Sequence, residues 1–345
     1  MTKNTKRAKR GQLLPSVVTP GAGPLAVATD RADHYARASR APNTWRSYRG
    51  AWARFEAWCE AHHQTSMPVA PAALRAYVAS LADAGAALST INAAVAAIAS
   101  AHSIAGQPFD RAWIRDDIKG IRRETARAKR KARPLVATDL QTILSGFGSG
   151  HRAARDRLLF ALGFAAALRR SELVGLDWQE QGQGTGFLVS DDRGIVITLL
   201  STKTGKGEPE QIIIPCSDMP TACDALADWI ARAGIQPGAP LFRSVNKGGE
   251  IAADRLSDRS VARIIKKEVR ACAIAAGRSE AEATELAELC SGHSLRAGYC
   301  TASAIAGVPE WKARRRSRHR SAETFAGYVR AAEEWTDSGL KGVGF

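Results

Sequence analysis

The stretch "GFLVSDDRGIVITLLSTKTGKGEPEQIIIP", residues 186–215, decides the fold class. Its apolar runs are short and break at Asp191-Asp192-Arg193-Gly194 and again at Gly205-Lys206-Gly207. That reads as three short antiparallel strands joined by turns. On both sides of it the apolar residues recur at steps of three and four instead. Helices are expected at 156–168, 218–233, 257–276, 280–289, 294–306, 309–318 and 321–333. A small antiparallel sheet embedded in many helices is a mainly α, α+β unit.

Upstream the helical period continues without strands. In "NTWRSYRGAWARFEAWCEAHH" the residues Trp45, Tyr48, Trp52, Phe55 and Cys59 form one stripe, a core face rather than a stacking platform. Arg46, Arg49 and Arg54 fall elsewhere on the wheel, so its polar flank is basic. Two more helices, 70–85 and 88–106, close at Gly85 and Gly106, and a short one spans 113–121. Residues 39–121 thus form an all-helical unit. Before it, 1–38 is basic and then rich in Pro, Gly, Ala and Val, as a flexible arm is. After it, "RRETARAKRKARP" (122–134) carries seven basic residues against one Glu. Such a linker suits a phosphate backbone better than plain solvent. Residues 135–345 make the second unit.

Net charge narrows the partner. The 345 residues hold 49 Lys and Arg against 34 Asp and Glu, a formal +15. An excess of that size suits a polyanion, either nucleic acid or an acidic membrane surface. No run approaches the ~18 apolar residues of a membrane span, and the basic N-terminus never turns apolar as a leader would. The expectation is a cytoplasmic protein that binds DNA or RNA. Six cysteines without regular spacing imply a reduced setting and no disulfide framework. The seven histidines show no metal-ligand spacing, so neither metal nor cofactor is expected.

Four segments carry groups suited to a phosphate. "SGHSLRAGYC" (291–300) sets His293 and Arg296 three apart at a helix start, with Ser291 or Ser294 as its cap; alone that is an ordinary helix turn. "AALRRSELVGLDW" sets Arg169 and Glu172 three apart, where a carboxylate can orient a guanidinium. "STKTGKG" puts Lys203 at a strand end, free to swing over a ligand. "SRHRSAETFAGYVR" carries His319 and, nine residues on, Tyr328 in an amphipathic helix.

Taken in order, these residues resemble the tyrosine recombinases, or phage integrases. That family shows Arg-x-x-Glu after an apolar helix, a hairpin Lys, His-x-x-Arg, a His or Trp, and a nucleophilic Tyr nine residues beyond. Domain sizes and the "SGHS" run look Cre-like. The chain departs from the pattern at Ala167 and at Arg318, where Gly is common. The resemblance implies a helical core-binding domain at 39–121 and an α+β catalytic domain at 135–345, whose tail docks on a neighbouring subunit through Trp335 and Leu340. It implies catalytic roles for Arg169, Glu172, Lys203, His293, Arg296, His319 and Tyr328. The expected partner is double-stranded DNA with inverted-repeat sites, bound by a tetramer that is monomeric when free, in a bacterium or on a mobile element. DNA contacts are expected from Arg46, Arg49, Arg54, Arg122, Arg123, Lys129, Arg130, Lys131 and the helix-start Arg259. A type IB-like topoisomerase and a non-cleaving DNA-binding protein are the rival readings.

Overall fold

The computed structural model describes residues 30–32, 34, 35, 38–125, 132–200 and 208–333. The chain forms two compact units that divide between Lys129 and Arg130. The first contains helices α1 (Pro42–Ala61), α2 (Pro71–Asp83), α3 (Leu88–Ile104) and, after a 3₁₀ turn at Arg111–Ile114, α4 (Arg115–Glu124). Proline in the first turn starts both α1 and α2, where its missing N–H leaves no bond unmade. The aromatic stripe of α1 faces inward: Trp52 and Phe55 meet Leu74, Val78, Ile91 and Ile98 in one apolar core. His102 is fully buried there. It is held as a neutral ring, with Nε2 accepting from the Val69 N–H (3.0 Å) and Nδ1 bonded to the Ile98 carbonyl (2.9 Å). Burial holds its pKa below the ordinary value, against the pull of that carbonyl.

The second unit follows the order α5 (Ala137–Ser145), α6 (His151–Ala165), α7 (Arg170–Val174), β1 (Leu176–Trp178), β2 (Gly186–Asp191), β3 (Gly194–Leu199), β4 (Glu210–Pro215), α8 (Pro220–Ala233), β5 (Arg243–Val245), β6 (Ile251–Arg255), α9 (Asp258–Ala275), α10 (Glu280–Glu288), α11 (Ser294–Ile305), α12 (Glu310–Ser317) and α13 (Ala322–Glu333). Its centre is α6, whose run Leu158 to Leu162 has no exposed residue. A helix segment buried on all sides must be wrapped, and α8, α11, α5 and α7 pack around this helix. Helix α11 lies against residue 135 at backbone contact. The Leu135 N–H donates to the Ser294 carbonyl at 3.1 Å, and a Cβ on Gly298 would sit 1.9 Å from the Leu135 oxygen. Only glycine permits that approach.

The strands at 186–215 pair as expected, β2 with β3 and β3 with β4, all antiparallel. The sheet is nevertheless not purely antiparallel, because β1 joins it in parallel with β2, and β5 and β6 form a second, two-stranded sheet. Strand β1 is too short to show a period. It is held by the loop 179–185, which wraps the buried carboxylate of Asp177: Gly184 N–H donates to it at 2.6 Å and Arg255 ion-pairs with it. Helix α5 also escaped the periodicity reading; Asp139 caps its start by accepting from the Val136 N–H at 3.1 Å.

One expectation about cysteine fails. Cys216 and Cys223 are joined by a disulfide, with Cα atoms 5.9 Å apart. Strand β4 ends at Pro215 and α8 starts at Pro220, so the tight turn sets Cys216 opposite the first turn of α8. Cys59, Cys272, Cys290 and Cys300 are free thiols. No helix among the described residues is long and apolar enough to cross a membrane.

Candidate active site

The site grows from the C-terminus of α6. A helix end leaves carbonyls without intrahelical partners, and cations suit them. Here the Ala165 carbonyl accepts from Arg316 at 3.0 Å and the Ala166 carbonyl from Arg318 at 3.2 Å. The Ala167 carbonyl accepts from Arg296 at 2.8 Å and from Arg318 at 3.4 Å. Ala167 itself is left-handed, at φ 47°, a turn that swings the chain directly into α7. At the head of α7, Glu172 accepts the Arg169 N–H at 2.8 Å through one oxygen and the Arg169 guanidinium at 2.5 Å through the other. Arg318 donates to the first oxygen as well, at 2.6 Å. Burial alone would raise the Glu172 pKa. The charge of Arg318, the Arg169 N–H and the Arg169 guanidinium outweigh it and hold the carboxylate below its ordinary range.

Arg296 stands in the first turn of α11 and is 1 % exposed. Its Nη1 is satisfied by Ala167, yet its Nε and Nη2 are buried with no hydrogen-bond partner. Burial, then the charges of Arg169 and Arg318, bring its pKa down to about 10, so it remains a cation at neutral pH. Idle donors on a buried cation are costly unless something fills them. His293 occupies the cap position of α11 rather than a helical turn. Neither expected serine caps the helix: Ser294 Oγ accepts from the Ser291 N–H (2.9 Å) and Ser291 Oγ from the His293 N–H (3.1 Å), which braces the turn before it.

Tyr328 reaches this corner from α13. Its hydroxyl lies 3.0 Å from His293 Nε2, and its ring lies 5.7 Å from that of His319. Phe325, 1 % exposed, seats α13 in a small core with Cys300 and Ala313. His319 follows Arg318, the left-handed residue that ends α12 at φ 55°. Its Nδ1 bonds the Ser317 hydroxyl at 2.8 Å, which leaves Nε2 as the free ring nitrogen. Desolvation and the guanidiniums of Arg296 and Arg169 keep His293 below its ordinary pKa, although the residue as a whole is exposed. Burial, then Arg296 and the other nearby cations, push His319 down to about 4. Both imidazoles are therefore neutral at pH 7, while burial raises the Tyr328 phenol. Three guanidiniums around one buried carboxylate, with a phenol bonded to a neutral imidazole, suit a bound anion attacked by an oxygen nucleophile.

Arg169, Glu172, His293, Arg296, His319 and Tyr328, scattered over about 160 residues, thus meet at one corner. Lys203 lies outside the described residues, as do Lys129, Arg130, Lys131, Trp335 and Leu340. Arg46, Arg49 and Arg54 are exposed on α1, and Arg122 and Arg123 at the end of α4. Arg259 is exposed in the first turn of α9, which Ser257 caps by accepting from the Ser260 N–H at 3.3 Å. Sequence reasoning passed over Arg318 and Ser317 as members of the site. The signal for Arg318 was its place before His319, where Gly is common.

The model of the phage integrase family matches residues 133–334. An integrase/recombinase XerD homologue of Selenomonas ruminantium is 32% identical over 311 residues, spanning 88% of this chain and 85% of its own. A tyrosine recombinase of Synechococcus elongatus is 28% identical over 308 residues, spanning 86% of this chain and 87% of its own. The structure of the XerH site-specific recombinase bound to palindromic difH substrate, after cleavage, aligns with a TM-score of 0.59 at 16% identity. That alignment covers 86% of this chain and 79% of XerH, and it speaks for the fold. The chain belongs to the phage integrase family, the tyrosine recombinases.

Proposed function

We propose that the chain is a site-specific recombinase that cuts and rejoins duplex DNA through a 3′-phosphotyrosine at Tyr328. The observation that carries this reading is the pair of idle, buried nitrogens on Arg296, beside a phenol already hydrogen-bonded to His293. A phosphodiester repels nucleophiles, and its transition state gathers charge on the non-bridging oxygens. Arg169 and Arg296 would hold those oxygens and stabilise the charge as it develops. His293, kept neutral, would take the Tyr328 proton as the phenol attacks phosphorus. The 5′ oxygen leaves with a proton from Lys203, and His319, whose Nδ1–H is held by Ser317, donates to the phosphoryl group through Nε2 only after the bound phosphate's charge has drawn a proton onto the ring. The phosphate ester energy stays in the protein linkage, so the second strand rejoins without ATP or metal.

A tetramer acting on two inverted-repeat sites completes the reading, with the helical unit and the catalytic unit both contacting DNA. The test uses the full chain, EDTA, and a pool of nicked duplexes with randomised flanks, resolved on a denaturing gel. Wild type is expected to give a covalent adduct that maps to the peptide holding Tyr328. Tyr328→Phe should bind DNA and give none, whereas Arg296→Ala should slow adduct formation by about 10²–10³-fold, as loss of an oxyanion donor does. An adduct elsewhere, or one that survives Tyr328→Phe, sinks the mechanism. Strand exchange between two captured sites separates a recombinase from a topoisomerase.

A further inference from the structure

Arg318 is an odd residue for its place. A left-handed backbone at φ 55° favours glycine, because a Cβ there crowds the following carbonyl. The chain keeps an arginine instead, and the side chain is 7% exposed. Its two terminal nitrogens are fully used. Nη1 donates to the carbonyls of Ala166 (3.2 Å) and Arg316 (3.0 Å); Nη2 donates to Glu172 (2.6 Å) and Ala167 (3.4 Å). Only Nε lacks a hydrogen bond, and it faces Glu210 on β4 at 3.7 Å. A guanidinium so occupied has no fork left to offer a phosphate.

Its acceptors are also those of the two arginines assigned to the phosphate. Glu172 holds Arg169, and the Ala167 carbonyl holds Arg296. We infer that Arg318 is a positioning residue for the cleavage reaction proposed above. Its fork, clamped between Glu172 and the carbonyls of Ala166 and Ala167, sets the spacing of the Arg169 and Arg296 guanidiniums and ties the His319 turn to them. Drawing one Glu172 oxygen towards itself, Arg318 also leaves Arg169 less completely neutralised by its carboxylate. Lysine cannot replace it fully, since an ammonium lacks the planar fork that spans several acceptors at once.

The experiment measures adduct formation at saturating protein on the randomised nicked pool, for wild type, Arg318→Gly and Arg318→Lys. Binding is followed by gel shift and folding by circular dichroism. Misplacing catalytic groups by about 1 Å costs up to ~10²-fold, so Arg318→Gly should slow the adduct step by about 10- to 100-fold. DNA affinity should stay within about threefold. Arg318→Lys should fall between the two, and added guanidinium ion should speed Arg318→Gly but not wild type. The His319 ring should titrate higher in Arg318→Gly, because one of the cations holding it down is gone. A wild-type rate in Arg318→Gly overturns the inference, as does a Lys variant no better than Gly with no guanidinium rescue. Should the Gly variant not fold, Arg318→Lys decides alone: slowed cleavage at unchanged melting temperature supports the role, and a wild-type rate ends it. No adduct from wild type would overturn the cleavage reading itself, a result distinct from all of these.

Discussion

A phenol titrates near pH ~10 when unperturbed, and burial lifts Tyr328 above that, so the residue needs help to lose its proton. The help available is a neutral imidazole 3.0 Å away. Keeping both histidines neutral has a cost that pH exposes. The folded-state pKa of His319 lies at about 4, below the ~6.5 of an unfolded chain. The unfolded state then binds more protons between those values, so this contribution to stability is present above pH ~6.5 and lost as pH falls through about 4. The urea midpoint of the DNA-free protein should therefore drop from pH 7 to pH 5. In His319→Gln the drop should be smaller; an identical drop would mean that His319 takes no part in it.

At the scale of elements, α11 carries Arg296 and depends on a glycine to sit where it does. Adding a methyl at 298 drives it to 1.9 Å from a backbone oxygen, which no rotamer change can relieve. Gly298→Ala should cost about 1–3 kcal/mol or more, the usual range for overpacking, read as a lower melting temperature. The cleavage rate should fall too, because α11 must shift and take Arg296 with it. A variant with wild-type stability would show that the segment at Leu135 yields freely. Helix α9 offers a different test. Its capped first turn presents Arg259 to solvent, as recognition helices present their first residues to the major groove. Arg259→Ala should lose about 1–3 kcal/mol of discrimination at one base pair, measured by selection from the randomised pool. A uniform loss over all sequences would mark Arg259 as a phosphate contact instead.

For the whole molecule the governing quantity is the +15 charge. One basic run is the linker 122–134, which joins the two units at the division between Lys129 and Arg130. On the proposed reading these side chains replace counterions along the DNA, each contact contributing about 0.9 to the slope of log affinity against log salt. Neutralising Lys129, Arg130 and Lys131 together should flatten that slope by up to ~3. An unchanged slope and affinity would reduce the linker to a spacer.

Order and spacing along the chain were enough to nominate Arg169, Glu172, His293, Arg296, His319 and Tyr328, because each sits in a local pattern that survives without its partners. The strands at 186–215 and the helices from 218 onward were legible for the same reason: their periods are set by neighbours in sequence. What the sequence could not give were features set by the folded path of the chain rather than by a local period. Strand β1 exists because a loop closes on Asp177. The Cys216–Cys223 bond exists because a strand end meets a helix start. Ala167 and Arg318 could be read as missing glycines, but not as two left-handed turns joined by the Arg318 guanidinium at the Ala167 carbonyl. Nor could a linear pattern show that Arg296 would be buried with two idle nitrogens. Local periodicity chose the parts, and burial among residues far apart in sequence decided which charges were neutralised and which were left for a ligand.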